Sequence, residues 1–275
     1  MTRRATVVAF AVLAAAATAA MAGESRPVVV ELYTSQGCSS CPPADLLMGK
    51  LVQRKDVIGM SLPITYWDML GWKDTLATEA NTRRQKAYAA AMGHGGVYTP
   101  QIIVDGTRDV AGGRDEAVVE AVNAAVESRD RATDAAMLGN AAFSPSTEDV
   151  RSRDWSVPVS LMNTARHLRV AIGRAPELAR KEHIDATVWL FRLRSSATVR
   201  IGRGENAGRT MTYHNVVSDI RDVGRWRGEA VALDVAPADP KAPPHDGVVV
   251  LVQQGGYGRV IGAAYLGQTP YYAQQ

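Results

Sequence analysis

Val28-Val29-Val30-Glu31-Leu32-Tyr33-Thr34-Ser35-Gln36-Gly37-Cys38-Ser39-Ser40-Cys41-Pro42-Pro43-Ala44-Asp45-Leu46-Leu47 reads as a buried strand, a tight turn, a cysteine pair and the start of a helix. The β-branched run Val28–Val30 favours an extended backbone, and Gln36-Gly37 interrupts it. Beyond the cysteines, Ala44, Leu47, Met48, Leu51 and Val52 repeat with helical spacing. Pro42 and Pro43 suit a first helical turn, where their missing N–H groups would have found no partner inside the helix. This order puts Cys38 just before the helix, at its positive end, where unpaired N–H groups and the helix dipole stabilise a thiolate. Thiol–disulfide exchange needs that placement.

A C-x-x-C pair also serves zinc knuckles and haem attachment. A structural zinc site needs four ligands, and the chain has only two cysteines. Haem attachment needs a histidine after the second cysteine, where this chain has Pro42. A structural disulfide stays open as an alternative, although a bridge closing so short a loop removes little chain entropy.

The N-terminus has the pattern of a signal peptide over residues 1–22. Arg3 and Arg4 form a basic segment, Val7–Ala20 an apolar core, and Ala20-Met21-Ala22 an A-x-A cleavage site. The apolar core is too short and too rich in alanine for a membrane anchor, and no cysteine follows it to carry a lipid. A periplasmic or secreted protein is expected, in a compartment where a disulfide persists. The 275 residues, 46% of them hydrophobic and 21% charged, supply one large core or two ordinary ones. The net charge of +3 includes Arg3 and Arg4, which leaves about +1 on the mature chain and no electrostatic case for nucleic acid. Oligomeric state is not legible.

Further along, Asp56–Tyr66 reads as a second strand that Pro63 would turn into an edge or an irregular end. Tyr66-Trp67-Asp68-Met69-Leu70-Gly71-Trp72 reads as a loop, with Trp67 and Trp72 either rimming the cysteine site or packing in the core. Thr78 caps a helix that runs to Met92. Thr99-Pro100 opens a third strand, Gln101–Val104, and Asp105-Gly106 turns it into a hairpin with Arg108–Ala111. An amphipathic helix follows with Ala117, Val118, Ala121, Val122, Ala125 and Val126 on one side.

This succession, with the cysteine pair after the first strand and X-Pro opening the third, resembles the thioredoxin fold. The resemblance implies a cis proline at Pro100 whose loop lies against the two sulfurs, with Thr99 facing them. The segments Glu31–Asp45, Tyr66-Trp67-Asp68, Val97–Gln101, Arg203-Gly204-Glu205-Asn206 and Tyr213–Val217 also resemble the signature of a family of exported bacterial proteins, domain of unknown function twelve-twenty-three. That resemblance implies a thioredoxin-like domain and export, and no reaction.

Residues 130–150, with Ser144-Pro145-Ser146, read as a domain boundary. After it come short β-rich runs at Val157–Leu161, Leu168–Ile172, Thr187–Leu193, Thr198–Ile201, Met211–Arg221, Ala230–Val235, Val248–Gln253 and Arg259–Leu266, which predict an antiparallel, sandwich-like unit. The expected architecture is therefore an α/β thioredoxin-like domain at 23–135 followed by a β-rich domain at 150–275.

In the expected chemistry Cys38 is the nucleophile and Cys41 the resolving thiol, with Thr99 and Pro100 shaping the cleft. Partners are protein thiols or disulfides, and no diffusible cofactor or metal is required. Glu31 is expected at a strand edge facing solvent. The other reading makes it a buried carboxylate that takes a proton from Cys41. His94 reads as an exposed turn residue. With the two thiols it would instead make a Cu(I) ligand set, giving a metal-handling protein as an alternative function. A third alternative is a binding module with a fixed bridge. His214 reads as structural, and Gly202–Gly208 as a glycine turn that contacts the redox domain rather than a phosphate loop.

Overall fold

The computed structural model describes residues 26–137, 156–164, 166–175, 179–180, 182–239 and 241–267. The expected signal peptide, residues 1–22, and residues 138–150 of the expected boundary lie outside the described residues, while residues 130–137 are helical. The first half runs β1 (Val28–Thr34), α1 (Pro42–Leu51), β2 (Val57–Pro63), a 3-10 turn (Asp68–Leu70), α2 (Glu79–Ala91), β3 (Gln101–Val104), β4 (Arg108–Ala111) and α3 (Asp115–Met137). The second half carries the strands β5 (Val159–Asn163), β6 (Leu168–Ile172), β7 (Ala186–Arg200), β8 (Thr210–Trp226), β9 (Val231–Val235), β10 (Gly247–Gln254) and β11 (Val260–Gly267). The chain is thus mixed α/β followed by β-rich structure.

One eight-stranded sheet crosses both halves in the order β11-β10-β7-β8-β2-β1-β3-β4, and β5-β6-β9 form a second, antiparallel sheet. β1 and β2 pair in parallel from Val28↔Val57 to Thr34↔Pro63, whereas β3 runs antiparallel to β1. The two halves meet where β2 pairs in parallel with β8 at Ser61↔Val216. β2 is therefore an interior strand. Pro63 is tolerated because it is the strand's last residue.

Strand alternation sorts the side chains of β1 onto two faces. Val28, Val30 and Leu32 join Leu47, Met48 and Leu51 of α1 and Val118, Ala121 and Val122 of α3 in one core. Val29 and Tyr33 join Met60 and Leu62 of β2, Tyr88 of α2 and Phe191, Leu193 and Leu251 of the β-rich half in another. α1 lies so close to β2 that a Cβ on Gly59 would stand 2.6 Å from the Met48 sulfur, which is why this buried strand carries a glycine. A third core lies between the two sheets, where Val170 and Ile172 of β6 face Val188, Leu190, Val250, Val252 and Ile261. This is the sandwich-like packing.

Two of the expected strands, Thr187–Leu193 and Thr198–Ile201, are a single strand. The polar Arg194-Ser195-Ser196 between them looks like a break, yet Arg194 pairs with Val216 and Ser196 with His214 in β8, so backbone hydrogen bonding carries β7 through.

Candidate functional site

The site begins where β1 ends. Cys38 N–H donates to the Ser35 carbonyl and Gly37 N–H to Ser35 Oγ, which closes the turn that Gln36-Gly37 announces. Cys41 is the N-cap of α1, Pro42 and Pro43 occupy its first positions, and Asp45 N–H donates to the Cys41 carbonyl. Cys38 and Cys41 are joined by a disulfide with their Cα atoms 5.4 Å apart. Ser40 Oγ lies 3.4 Å from Cys38 Sγ. Both cysteines are 0% exposed, although Ser39 and Ser40 between them face solvent.

The Thr99–Pro100 peptide is cis. A Cβ placed on Gly112 would lie 2.9 Å from Pro100 Cβ and 3.2 Å from Ala44 Cβ, so the proline loop and the first turn of α1 converge at Gly112. Thr99 Oγ1 accepts from Trp67 Nε1 at 2.8 Å. Tyr66 stands by Thr99 and Gln85, and burial pushes its hydroxyl up to about 12. Trp67 packs against Gly37 while Trp72 donates through Nε1 to Gln36 Oε1, so both tryptophans border the cysteine turn.

A segment remote in sequence completes the site. Between β7 and β8 the chain turns through Gly202-Arg203-Gly204-Glu205-Asn206. The buried Asn206 donates through Nδ2 to the carbonyls of Gln36 at 3.0 Å and of Cys38 at 2.8 Å. Glu205 accepts from the Ser39 N–H at 3.1 Å, at the mouth of α1 where the helix dipole favours a carboxylate. Gly204 has φ +78°, a left-handed backbone that suits glycine, and it packs on Trp72 as Gly202 does. The contact of this turn with the cysteine segment was legible in the sequence. Its anchoring on Cys38 by Asn206 was not.

Glu31 is a correction. It is 0% exposed and does not lie at a solvent-facing edge. β1 is an interior strand between β2 and β3, and Glu31 lies on its Val29/Tyr33 face, opposite α1. Arg84 of α2 meets it with Nε and Nη2 at 2.6 and 2.9 Å, and the hydroxyls of Tyr88 and Tyr33 donate to it at 2.7 and 3.1 Å. Its hydrogen-bond partners are thus Arg84, Tyr88 and Tyr33 on the face opposite α1, which speaks against the proton-acceptor reading as well.

His94 is partly exposed, and its Nδ1 lies 3.1 Å from Asp109 on β4. His214 lies over Gly49, about two helical turns beyond Cys41, and burial pushes its pKa down. Among the described residues no three His, Cys, Asp or Glu side chains are grouped to hold a metal ion, and no helix is long and apolar enough to cross a membrane.

Asp45 escaped the sequence reading. It sits one turn beyond Cys41 on α1, 2% exposed, and neither carboxylate oxygen has a hydrogen-bond partner. Burial, with a smaller contribution from Asp74, pushes its pKa well up, against a lowering by the neighbouring Thr34 hydroxyl. The only advance signal was an acidic residue on the apolar Ala44/Met48 side of the helix.

Fold and site together define a mixed α/β protein with a disulfide at a strand-to-helix junction, covered by a hairpin from a β-rich half. Residues 29–152 and 140–253 match the family described as "Protein of unknown function (DUF1223)". The chain belongs to that family. The crystal structure of a protein from Agrobacterium tumefaciens is 30% identical in sequence and superposes with a TM-score of 0.69, over 90% of this chain and 97% of that one. HBP35 of Porphyromonas gingivalis aligns at 10% identity with a TM-score of 0.49, over 89% of this chain and 76% of that one. No curated protein sequence matches the chain.

Proposed function

We propose that this chain is an extracytoplasmic protein thiol–disulfide oxidoreductase, with a thioredoxin-like unit at 23–135 and a β-rich accessory unit at 150–275. The observation that carries this reading is the position of the Cys38–Cys41 disulfide at the first turn of α1, directly after a buried strand. In the exchange, a partner thiolate attacks Cys38 Sγ and the S–S electron pair leaves on Cys41 Sγ, which takes up a proton. A second partner thiolate then attacks the mixed disulfide and displaces Cys38. The partner is oxidised by two electrons to its disulfide, and the Cys38–Cys41 pair is reduced. The reverse sequence reduces a partner. Thr99 and Pro100 line the approach beside α1, and the leader-like N-terminus supports an exported location.

The equilibrium reduction potential of the pair in glutathione or dithiothreitol buffers tests the reading. A value between about −120 and −270 mV matches catalytic exchangers. A value below about −300 mV is that of a structural bridge and removes the proposal. The complete burial of both cysteines favours the second reading, a binding module with a fixed disulfide, and the same titration separates the two.

A further inference from the structure

We propose that the turn Gly202–Asn206 is a cap on the Cys38–Cys41 disulfide, and that exchange at Cys38 proceeds only from a form in which this cap has lifted. The inference rests on the exchanger reading above and concerns how that site is regulated.

The cap addresses a conflict within the site. Ser39 and Ser40 are exposed, so the x-x of the motif lies at the surface, yet neither cysteine has any accessible area. A disulfide that no thiolate can reach does not exchange, whatever its potential. The β7–β8 turn binds the backbone on both sides of Cys38. Asn206 holds the carbonyls of Gln36 and Cys38, and Glu205 holds the N–H of Ser39.

Those bonds span 166 to 170 residues of sequence, so releasing them leaves the local turn of the cysteines intact. That turn keeps its own bonds, Cys38 N–H to the Ser35 carbonyl and Cys41 N–H to the Cys38 carbonyl. The cap itself has little to hold it. Arg203, Gly204 and Glu205 are exposed, and buried Ile201 belongs to the hairpin base. Beyond its seat on Trp72, the turn is attached by the polar contacts of Asn206 and Glu205. A segment with so little buried apolar area opens locally at far lower cost than the core beneath it. Trp72, tied to Gln36 Oε1, gives the turn a fixed seat to return to.

The test follows reduction of the disulfide by dithiothreitol. One dithiothreitol thiolate attacks Cys38 Sγ, and its second thiolate then releases the reduced pair and leaves the reagent as its cyclic disulfide. The reference is a synthetic peptide of residues 36–43 closed by the same disulfide and lacking any cap. The full protein is expected to react at least about tenfold more slowly than the peptide. Asn206→Ala, which removes two hydrogen bonds, is expected to speed the protein reaction at least about fivefold. Glu205→Gln keeps the shape of the turn and removes the charge, with a gain of about twofold or more.

A protein reduced as fast as the peptide overturns the cap, and so do two folded variants reduced at the wild-type rate. If Asn206→Ala does not fold, the peptide comparison and Glu205→Gln decide. The wild-type potential, measured in the same samples, judges the exchanger reading separately. A potential below about −300 mV with accelerated variants removes the exchanger and keeps the cap. A potential in the exchanger range with unaltered rates does the reverse.

Discussion

Arg84 of α2 grips Glu31 of β1 through two nitrogens, at 2.6 and 2.9 Å, with neither side chain reaching solvent. Arg84 Nη2 also donates to Gln253 Oε1 on β10, and Gln253 Nε2 donates to the hydroxyl of Tyr88. The guanidinium lies between 4.8 and 5.7 Å from the ring centres of Phe191, Tyr88, Trp189 and Tyr257. One cation thus ties the strand that leads to the cysteines, the helix beneath it and the β-rich half.

Removing that cation alone strands a buried carboxylate. Arg84→Met is expected to cost about 3–5 kcal/mol in urea unfolding. The double variant Glu31→Gln, Arg84→Met removes the uncompensated charge and is expected to recover most of the loss. An additive double variant would mean that the two residues act independently, and would remove the pair from the account of how the halves are joined.

Asp105 carries a second buried charge. Burial opposes its ionisation, but Arg26 and Arg129 outweigh that and, with the Val29 N–H, hold its pKa below the ordinary value. A carboxyl with a lowered folded pKa contributes stability above its unfolded pKa of about 3.9, and loses it as pH falls through the folded value. Asp105→Asn is therefore expected to cost about 3 kcal/mol or more at neutral pH, with the deficit shrinking below about pH 4. A deficit independent of pH in denaturant titrations would show that the carboxylate charge is not what matters there.

What was legible follows from local signals. The Thr78 cap, the Asp105-Gly106 hairpin turn and the β1–turn–α1 junction each depend on a few neighbouring residues, and each formed as read. Glu31 was misread because an isolated carboxylate in an apolar strand says nothing of the strand's neighbours. Its partner lies 53 residues away, on a helix whose arginine looks like any surface arginine. Asn206 was missed for the same reason: a polar residue in a glycine turn reads as solvated unless a contact 168 residues distant is known. The continuity of the large sheet depends on one pairing of β2 with β8, which no local pattern encodes.

The assignment of roles to the two cysteines is open to trapping. With Cys41→Ser, a mixed disulfide between Cys38 and an attacking thiol has no neighbouring thiol to resolve it. That variant is expected to accumulate a glutathione adduct of one equivalent, read by intact mass after incubation with oxidised glutathione. Cys38→Ser should accumulate severalfold less if Cys38 is the nucleophile and Cys41, the N-cap of α1, only resolves. Reversed labelling would exchange the two roles, and equal labelling would remove the distinction between them.

Asp45 supplies the clearest pH signature. A carboxyl whose folded pKa is raised binds its proton more tightly in the folded state, and it lowers stability once the unfolded chain begins to lose that proton. Stability is unaffected by Asp45 well below its unfolded pKa of about 3.9. It then falls by about 1.4 kcal/mol per pH unit until the folded group ionises as well. An asparagine side chain does not titrate, so the stability of Asp45→Asn relative to wild type should rise steadily above about pH 4. The amide keeps the carboxyl's shape beside Thr34 and escapes this linkage. At neutral pH the gain is expected to be about 1–3 kcal/mol, or several degrees in Tm for a chain of this size. Taking the difference between the two proteins at each pH cancels the other carboxyls, Asp74 and Asp105 included. If instead the stability of Asp45→Asn relative to wild type falls as pH rises above about 4, the ionised carboxylate is being held by a favourable interaction, and the account of an unpartnered buried acid beside Cys41 fails.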